Sequence, residues 1–240
     1  MMDTAYVTLS RQSGLMDEMR LVANNIANAN TTGYRQQGLV FSEYIRDMPN
    51  SPSLSMSRAE ARNSSMQQGV LTQTGGQFDF AIEGDGFFMV ETENGNRLTR
   101  AGSFSTNADG DLVSMDGARV LDANGAPVFI PPDAASIDVG SDGTLSVDGQ
   151  LLGQLGVFNV ADTNELVREG NTRFRTDGAI EPVDEPVVLH RFLEGSNVNA
   201  IQQVTRLVEI QRAYELGQSF LESEDERVRG ALKALMRRFG

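Results

Sequence analysis

One histidine, His190, and no cysteine among 240 residues limit what this chain can catalyse. A zinc-protease helix needs two His one turn apart, and thiolate nucleophiles and thiolate metal sites need Cys, so all three are excluded. His190 stands in the strand-like run EPVVLHRFLE, where a packed or hydrogen-bonded role is expected. Gly84-Asp85-Gly86 opens like a dinucleotide fingerprint but puts Met89 at the third glycine, ahead of a strand instead of a helix. No GxxxxGK[ST] phosphate loop occurs. NADGD at 107–111 begins like a calcium loop but has Leu112 at its sixth position and Ala118 at its twelfth, where Gly and Glu belong; it reads as a hairpin turn. The 33 acidic residues contain no pair marked out for glycoside hydrolysis. The expectation is a non-enzyme with no catalytic residues, cofactor or metal.

Charge narrows the partners. Twenty basic residues against 33 acidic give a net charge of -13, which opposes a phosphate backbone or an anionic lipid surface. Nucleic acid is therefore not expected as a partner. No apolar run approaches the roughly 20 residues a membrane helix needs, so membrane insertion is not expected either. The start, MMDTAYVTLSRQSG, lacks the basic and apolar regions of a cleavable secretory signal, which leaves another export route open.

The elements are more informative. Across residues 3 to 29, heptads numbered from Met2 place Met2, Leu9, Met16 and Ala23 at position a, and Ala5, Gln12, Met19 and Ile26 at d. Tyr6, Leu15 and Val22 widen this stripe, and Asp3 or Thr4 is the expected N-cap. Such a helix is about 40 Å long. Across 199 to 239, position a reads Leu207, Tyr214, Leu221, Val228 and Leu235, while d is mixed: Ile210, Gly217, Glu224, Ala231 and Arg238. Lys233, Arg237 and Arg238 suit a helix C-terminus. The stripes fit helices that pack on their own domain or on each other, and equally helices that pack on neighbouring molecules. Between them, Phe78 to about Arg191 breaks into short β-like runs such as GFFMVE and LGVFNV, separated by Asx-Gly pairs from Asp85-Gly86 to Asp177-Gly178. That spacing predicts an antiparallel β domain. The fold class is α+β: a helical part at 1–34, an extended connector at 35–77 rich in Ser, Gln and Arg, a central β domain at 78–192, and a second helical part at 193–240.

The stretch ANNIANANTTGYR, residues 23–35, concentrates Asn where helix propensity does not want it. Asn24 and Asn28 are four apart and Asn25 and Asn28 three apart, spacings that share a helix face. Amides in an apolar seam lower stability but select a register. Asn30, Thr31, Thr32 and Gly33 then stop the helix, with Gly33 able to take the left-handed conformation.

These residues carry a resemblance. ANNIANANTTGYR is similar to the N-terminal signature of the flagellar rod and hook family, the axial proteins of the bacterial flagellum. LEGSNVNAIQQVTRLVEIQRAYE, residues 193–215, resembles that family's terminal helix motif, and the run from Phe78 to Asp122 resembles its β module. Length and a compact β part favour a proximal-rod member, with a distal-rod member next. Gln202-Gln203 departs from the acidic residues common in relatives. The resemblance implies a structural rod subunit whose terminal helices pack with those of other proximal- and distal-rod subunits, and with copies of itself, in a helical, coiled-coil-like tube. That tube is the hollow drive shaft crossing the periplasm. The resemblance also implies delivery by the flagellar type III export apparatus without a cleavable signal. On this basis Met2, Leu9, Met16, Met19, Ala23, Ile26, Leu207, Ile210, Tyr214, Leu221 and Val228 are expected in subunit packing. Asn24, Asn25, Asn28, Gly33, Tyr34, Asn197, Gln211, Arg212 and Tyr214 are the register and motif positions, and Gln211, Gln218 and Asp225, seven apart, are candidates to line the export channel. The alternative is a periplasmic binding module whose β domain meets cell-wall glycan or an outer ring, a role that the 7% aromatic content and absence of Trp do not favour.

Overall fold

The computed structural model describes residues 2–48, 51–134 and 136–239. The chain divides into two compact units: Met1–Ala27 with Gln37–Asn63 and Asn199–Gly240, and Asn28–Gln36 with Ser64–Val198.

The first unit is built on two helices, α1 (Met2–Ala27, 26 residues) and α2 (Ala200–Phe239, 40 residues). Asp3 and Thr4 fall inside α1, and their side chains lie outside the described residues. The helix ends at Ala27, so Asn28 stands just beyond it, in the turn that the Asn, Thr and Gly residues favour. Asn199 caps α2: its Oδ1 accepts from the backbone N–H groups of Ile201 and Gln202, both at 3.1 Å. The stretch expected as an extended connector contains two long strands, Gln37–Met48 and Ser51–Ser64, paired as a two-stranded sheet.

The second unit is antiparallel throughout its paired strands. A nine-stranded sheet has Phe87–Thr92 near its centre, paired with Gly95–Thr99, Arg119–Val120 and Val157–Val160. A three-stranded sheet spans Ile137–Val139, Thr144–Val147 and Gln150–Gln154. Phe80–Glu83 pairs with Val187–His190, and Leu71–Gln73 with Phe192–Glu194. Asn94-Gly95 and Asp109-Gly110 sit in hairpin turns, as their residue types demand. Side chains alternate along GFFMVE: Phe88 and Val90 enter one apolar cluster with Phe80, Ile82, Leu112 and Val120, while Phe87 and Met89 enter a second with Leu98, Phe158 and Phe174. A strand buried on both faces is a run of apolar residues instead of an alternating one, which is how this one reads.

Candidate functional site

No constellation of the second unit has the makings of chemistry. His190 Nε2 meets the carbonyl of Gln77 at 2.9 Å and its ring stacks on Phe80, the packed role its context predicted. In NADGD, Asn107 Oδ1 accepts from the N–H groups of Asp109 (3.0 Å) and Asp111 (2.8 Å), closing the hairpin turn. In the acidic groove nearby, Glu91, Asp111 and Asp116 pair with Arg119 and Arg173, and Glu93 and Asp109 line it as well. Among the described residues, no three His, Asp or Glu side chains converge where a metal ion could sit.

The helical unit holds most of the positions singled out in the sequence. Within it α1 and α2 run antiparallel, because Gln12 meets Tyr214, Glu18 meets Arg206, and Asn25 meets Gln203. Arg206 Nε and Nη2 reach Glu18 Oε1 at 2.7 and 2.6 Å, and hydrogen bonding to Glu18 raises the Arg206 pKa. Gln12 Nε2 donates to the Tyr214 carbonyl at 2.9 Å. A Cβ on Gly217 would lie 2.2 Å from that same Nε2, so the apparent lapse at this d position is the space Gln12 occupies. Ile210, Leu21 and Val22 are buried; Leu207, Tyr214, Leu221, Met16, Met19 and Ile26 are half-buried. Leu9 and Ala23 are exposed, and the side chain of Met2 lies outside the described residues. Gln12, Glu18 and Asn25 are the side chains of α1 that hydrogen-bond to α2.

That register also aligns the start of α2 with the end of α1, so the extra length of α2 projects past the first turn of α1. On the projecting part Val228, Leu232 and Met236 recur every four residues with exposures of 46, 53 and 74%. Gln211, Arg212, Gln218 and Asp225 are exposed along α2. A groove of Leu15, Ala213, Leu216 and Phe220 runs between the helices.

The Asn-rich stretch does more inside the molecule than its pattern suggests. Asn25, fully buried, makes a two-way amide pair with Gln37: Nδ2 donates to the Gln37 carbonyl (2.9 Å) and Oδ1 accepts from its N–H (3.0 Å). Nδ2 also donates to Gln203 Oε1 at 3.2 Å, so the glutamine that departs from the family's acidic pattern has a specific partner. Asn24 is exposed on α1; Asn28, beyond its end, accepts from Thr31 Oγ1 at 3.2 Å.

Motif residues of the second unit meet at one place that the sequence did not announce. Arg35 Nη1 and Arg100 Nη1 flank the Glu194 carboxylate at 2.9 and 3.1 Å, with all three side chains at most 3% exposed. Burial pulls the Arg35 guanidinium down to about 10 while Glu194 pulls the other way, and burial lowers Arg100 likewise. Gly33, at φ 68°, donates its N–H to the Glu194 carbonyl (2.8 Å), and a Cβ there would strike Ala101 N at 2.2 Å. Asn197 Oδ1 accepts from the N–H of Gln36 (2.6 Å), and its Nδ2 donates to the carbonyls of Ser65 (3.2 Å) and Gln67 (2.7 Å). Arg168 lies between the rings of Tyr34 and Phe174, 4.8 Å from each centroid, and donates to the Arg35 carbonyl at 2.6 Å. Burial raises the Tyr34 hydroxyl pKa. The sequence signal for this cluster was that Arg35 and Glu194 stand inside motif segments, Arg35 two residues after Gly33 and Glu194 next to Gly195.

Comparison with known proteins covers the same segments. Residues 6–35 match the flagella basal body rod protein family, 81–147 the flagellar hook protein FlgE/F/G D1 domain, and 190–233 the flagellar basal body rod FlgEFG protein C-terminal family. The chain is 40% identical to flagellar basal-body rod protein FlgF of Caulobacter vibrioides across 98% of both chains. It is 38% identical to FlgF of Mesorhizobium japonicum across 90% of each. With flagellar basal-body rod protein FlgG of Agrobacterium fabrum it shares 35% identity across 87% of this chain and 90% of that one.

Proposed function

Since the chain belongs to the FlgE/F/G family of flagellar rod and hook proteins, we propose that it is a structural subunit of the basal-body rod, of the proximal-rod kind, and has no catalytic task. Its greater identity to FlgF than to FlgG relatives supports the proximal assignment. The glycan-binding alternative draws no support from relatives named as rod proteins.

The observation that carries the assembly mechanism is the uncovered end of α2. Among the described residues Ile210 of α2 is buried, whereas Val228, Leu232 and Met236 farther along the same helix are 46, 53 and 74% exposed. Burying such a stripe gains about 25 cal/mol per Å² of apolar surface. Its partner in the rod is a helix of a neighbouring subunit. A patch on one subunit meeting a different patch on the next builds an open helical assembly, not a closed dimer. In this arrangement the terminal helices form the coiled-coil-like tube of the hollow shaft, and Met2, Leu9, Met16, Met19, Ala23, Ile26, Leu207, Tyr214, Leu221 and Val228 contribute to subunit packing. Gln211, Gln218 and Asp225 line the channel, delivery is by the type III export apparatus without a cleavable signal, and the assembled rod crosses the periplasm.

The test is complementation of motility in a cell lacking its own copy of this subunit. Leu232→Asp is expected to abolish rod completion while the purified chain keeps native circular dichroism. Normal swimming with this variant would remove the packing mechanism. Because the chain lacks Cys, single cysteines at Gln211, Gln218 and Asp225 can probe the channel wall. They are expected to crosslink to a substrate stalled in transit, and failure at all three would rule that lining out.

A further inference from the structure

The four places where the chain passes between its two units fall at residues 27/28, 36/37, 63/64 and 198/199. On the side of the β unit, the segments leading to them are 28–36, 64–70 and 194–198. These three segments, far apart in sequence, are tied to one another by the cluster around Glu194. Its carboxylate holds Arg35 of the first segment and accepts from the Gly69 N–H of the second at 2.9 Å, while its carbonyl holds Gly33. Asn197 adds bonds to Gln36, Ser65 and Gln67; Ser65 N–H donates to Gln36 carbonyl (2.8 Å), and Gly195 N–H to Val70 carbonyl (2.9 Å). Arg100 fixes the other carboxylate oxygen to the sheet, donating also to the Gly84 carbonyl at 2.6 Å and lying 5.3 Å from the Phe87 ring centroid.

The geometry points to Glu194, Arg35, Arg100 and Asn197 as positioning residues for assembly: a buried clasp that fixes the spacing at which the segments leading to α1, to the long hairpin and to α2 leave the β unit. Two guanidinium groups share one buried carboxylate, and the exposed Asp85 carboxylate acts on both as well. An apolar core would be the cheaper way to gain stability there. Ions differ from apolar groups in demanding one geometry, since each donor must meet its acceptor within hydrogen-bond distance and direction. The clasp trades stability for fixed positions at the roots of the elements that assemble. This deepens the rod assignment, because fixed roots matter only to a subunit whose terminal elements must meet neighbours in register.

The test measures root spacing in the full-length monomer, independently of rod formation. Spin labels on cysteines at exposed Asn30 and Thr72 report the distance between two roots, and a second pair at exposed Asn124 and Asp162 reports the sheet. In Glu194→Gln the root distance distribution is expected to widen at least about twofold while the sheet pair stays narrow, as for an ensemble released from a single state. Should Glu194→Gln unfold, which the sheet pair would show, Arg35→Met/Arg100→Met/Glu194→Met decides, since it removes all three charges of the clasp together. It is expected to keep a narrow sheet distance, widen the root distance and fail in motility complementation. Root distances as narrow as in the native chain, in either variant with a native sheet distance, would overturn the clasp. So would normal motility with widened roots. Neither result touches the rod assignment, which fails separately if the unmodified chain does not complement.

Discussion

The β unit and the helical unit solve the burial problem in opposite ways. In the β unit, Phe80, Phe88, Leu112, Leu155 and Phe174 are wholly buried and belong to two clusters that strand alternation fills from both faces. In the helical unit, Leu21, Val22 and Ile210 are the fully buried apolar side chains among the described residues, while Ile201, Leu216 and Met236 are at least 73% exposed. The β unit also exposes single apolar side chains, Val70, Met115 and Leu151, which is ordinary on a folded surface. It has two buried clusters beneath them, whereas the described residues of the helical unit form no such cluster. The amide and ion pairs follow the same division. The helical unit uses Asn25, Gln12 and Arg206 to choose a register, while the β unit buries its ions within the segments 28–36 and 194–198 and at Arg100.

This contrast can be broken most sharply in the β core. Phe88→Ala is expected to cost about 4 kcal/mol and to raise hydrogen exchange across the β unit; protection unchanged at 80–160 would mean the two clusters do not form one cooperative core. In the helical unit Asn25→Ala is expected to cost about 2 kcal/mol, because it leaves both backbone groups of Gln37 and the side chain of Gln203 without their partner. Denaturant titration of the helical signal would read it, and a loss no greater than at an exposed site would show that the amide pair does not set the register. Smaller still, Arg206→Met should lose less than about 1 kcal/mol, since the guanidinium is half exposed and its ion pair is screened. Its unfolding midpoint should fall in low salt more than in high salt. At the bottom of the scale, Leu216→Ser is expected to leave monomer stability within about 0.5 kcal/mol while lowering assembly. A large stability loss there would mean the exposed stripe is covered within the single chain.

Much of the β unit was legible because its signals are local. Asn94-Gly95 and Asp109-Gly110 specify turns through their own backbone preferences, and GFFMVE reads as a strand through composition, its burial on both faces being seen in the structure. Counting excluded thiolate chemistry and a paired-histidine zinc site, and the rod family was legible in three motifs in order. The heptads marked two helices, and in the single chain Leu9 and Ala23 of the seam are exposed while Val22 beside it is buried. Periodicity reports that a stripe exists, not which partner covers it. The amides were noticed, yet Asn25 serves Gln37 and Gln203, 12 and 178 positions away, and Asn28 stands outside the helix face it was expected to share. Two strands in the stretch read as connector were hidden by its weak alternation.

By itself, then, the sequence determined where the chain turns, which runs extend or coil, and what chemistry it lacks, because those properties depend on residue type and on neighbours a few positions away. Only the tertiary structure decided which face of α1 meets α2, that Gly217 makes room for Gln12, and that Arg35, Arg100 and Glu194 share one buried cluster. Those outcomes depend on bringing distant segments within hydrogen-bond range and out of water. Burial energies and ion pairing are set by the whole packing around a residue, and nothing in its local pattern encodes them.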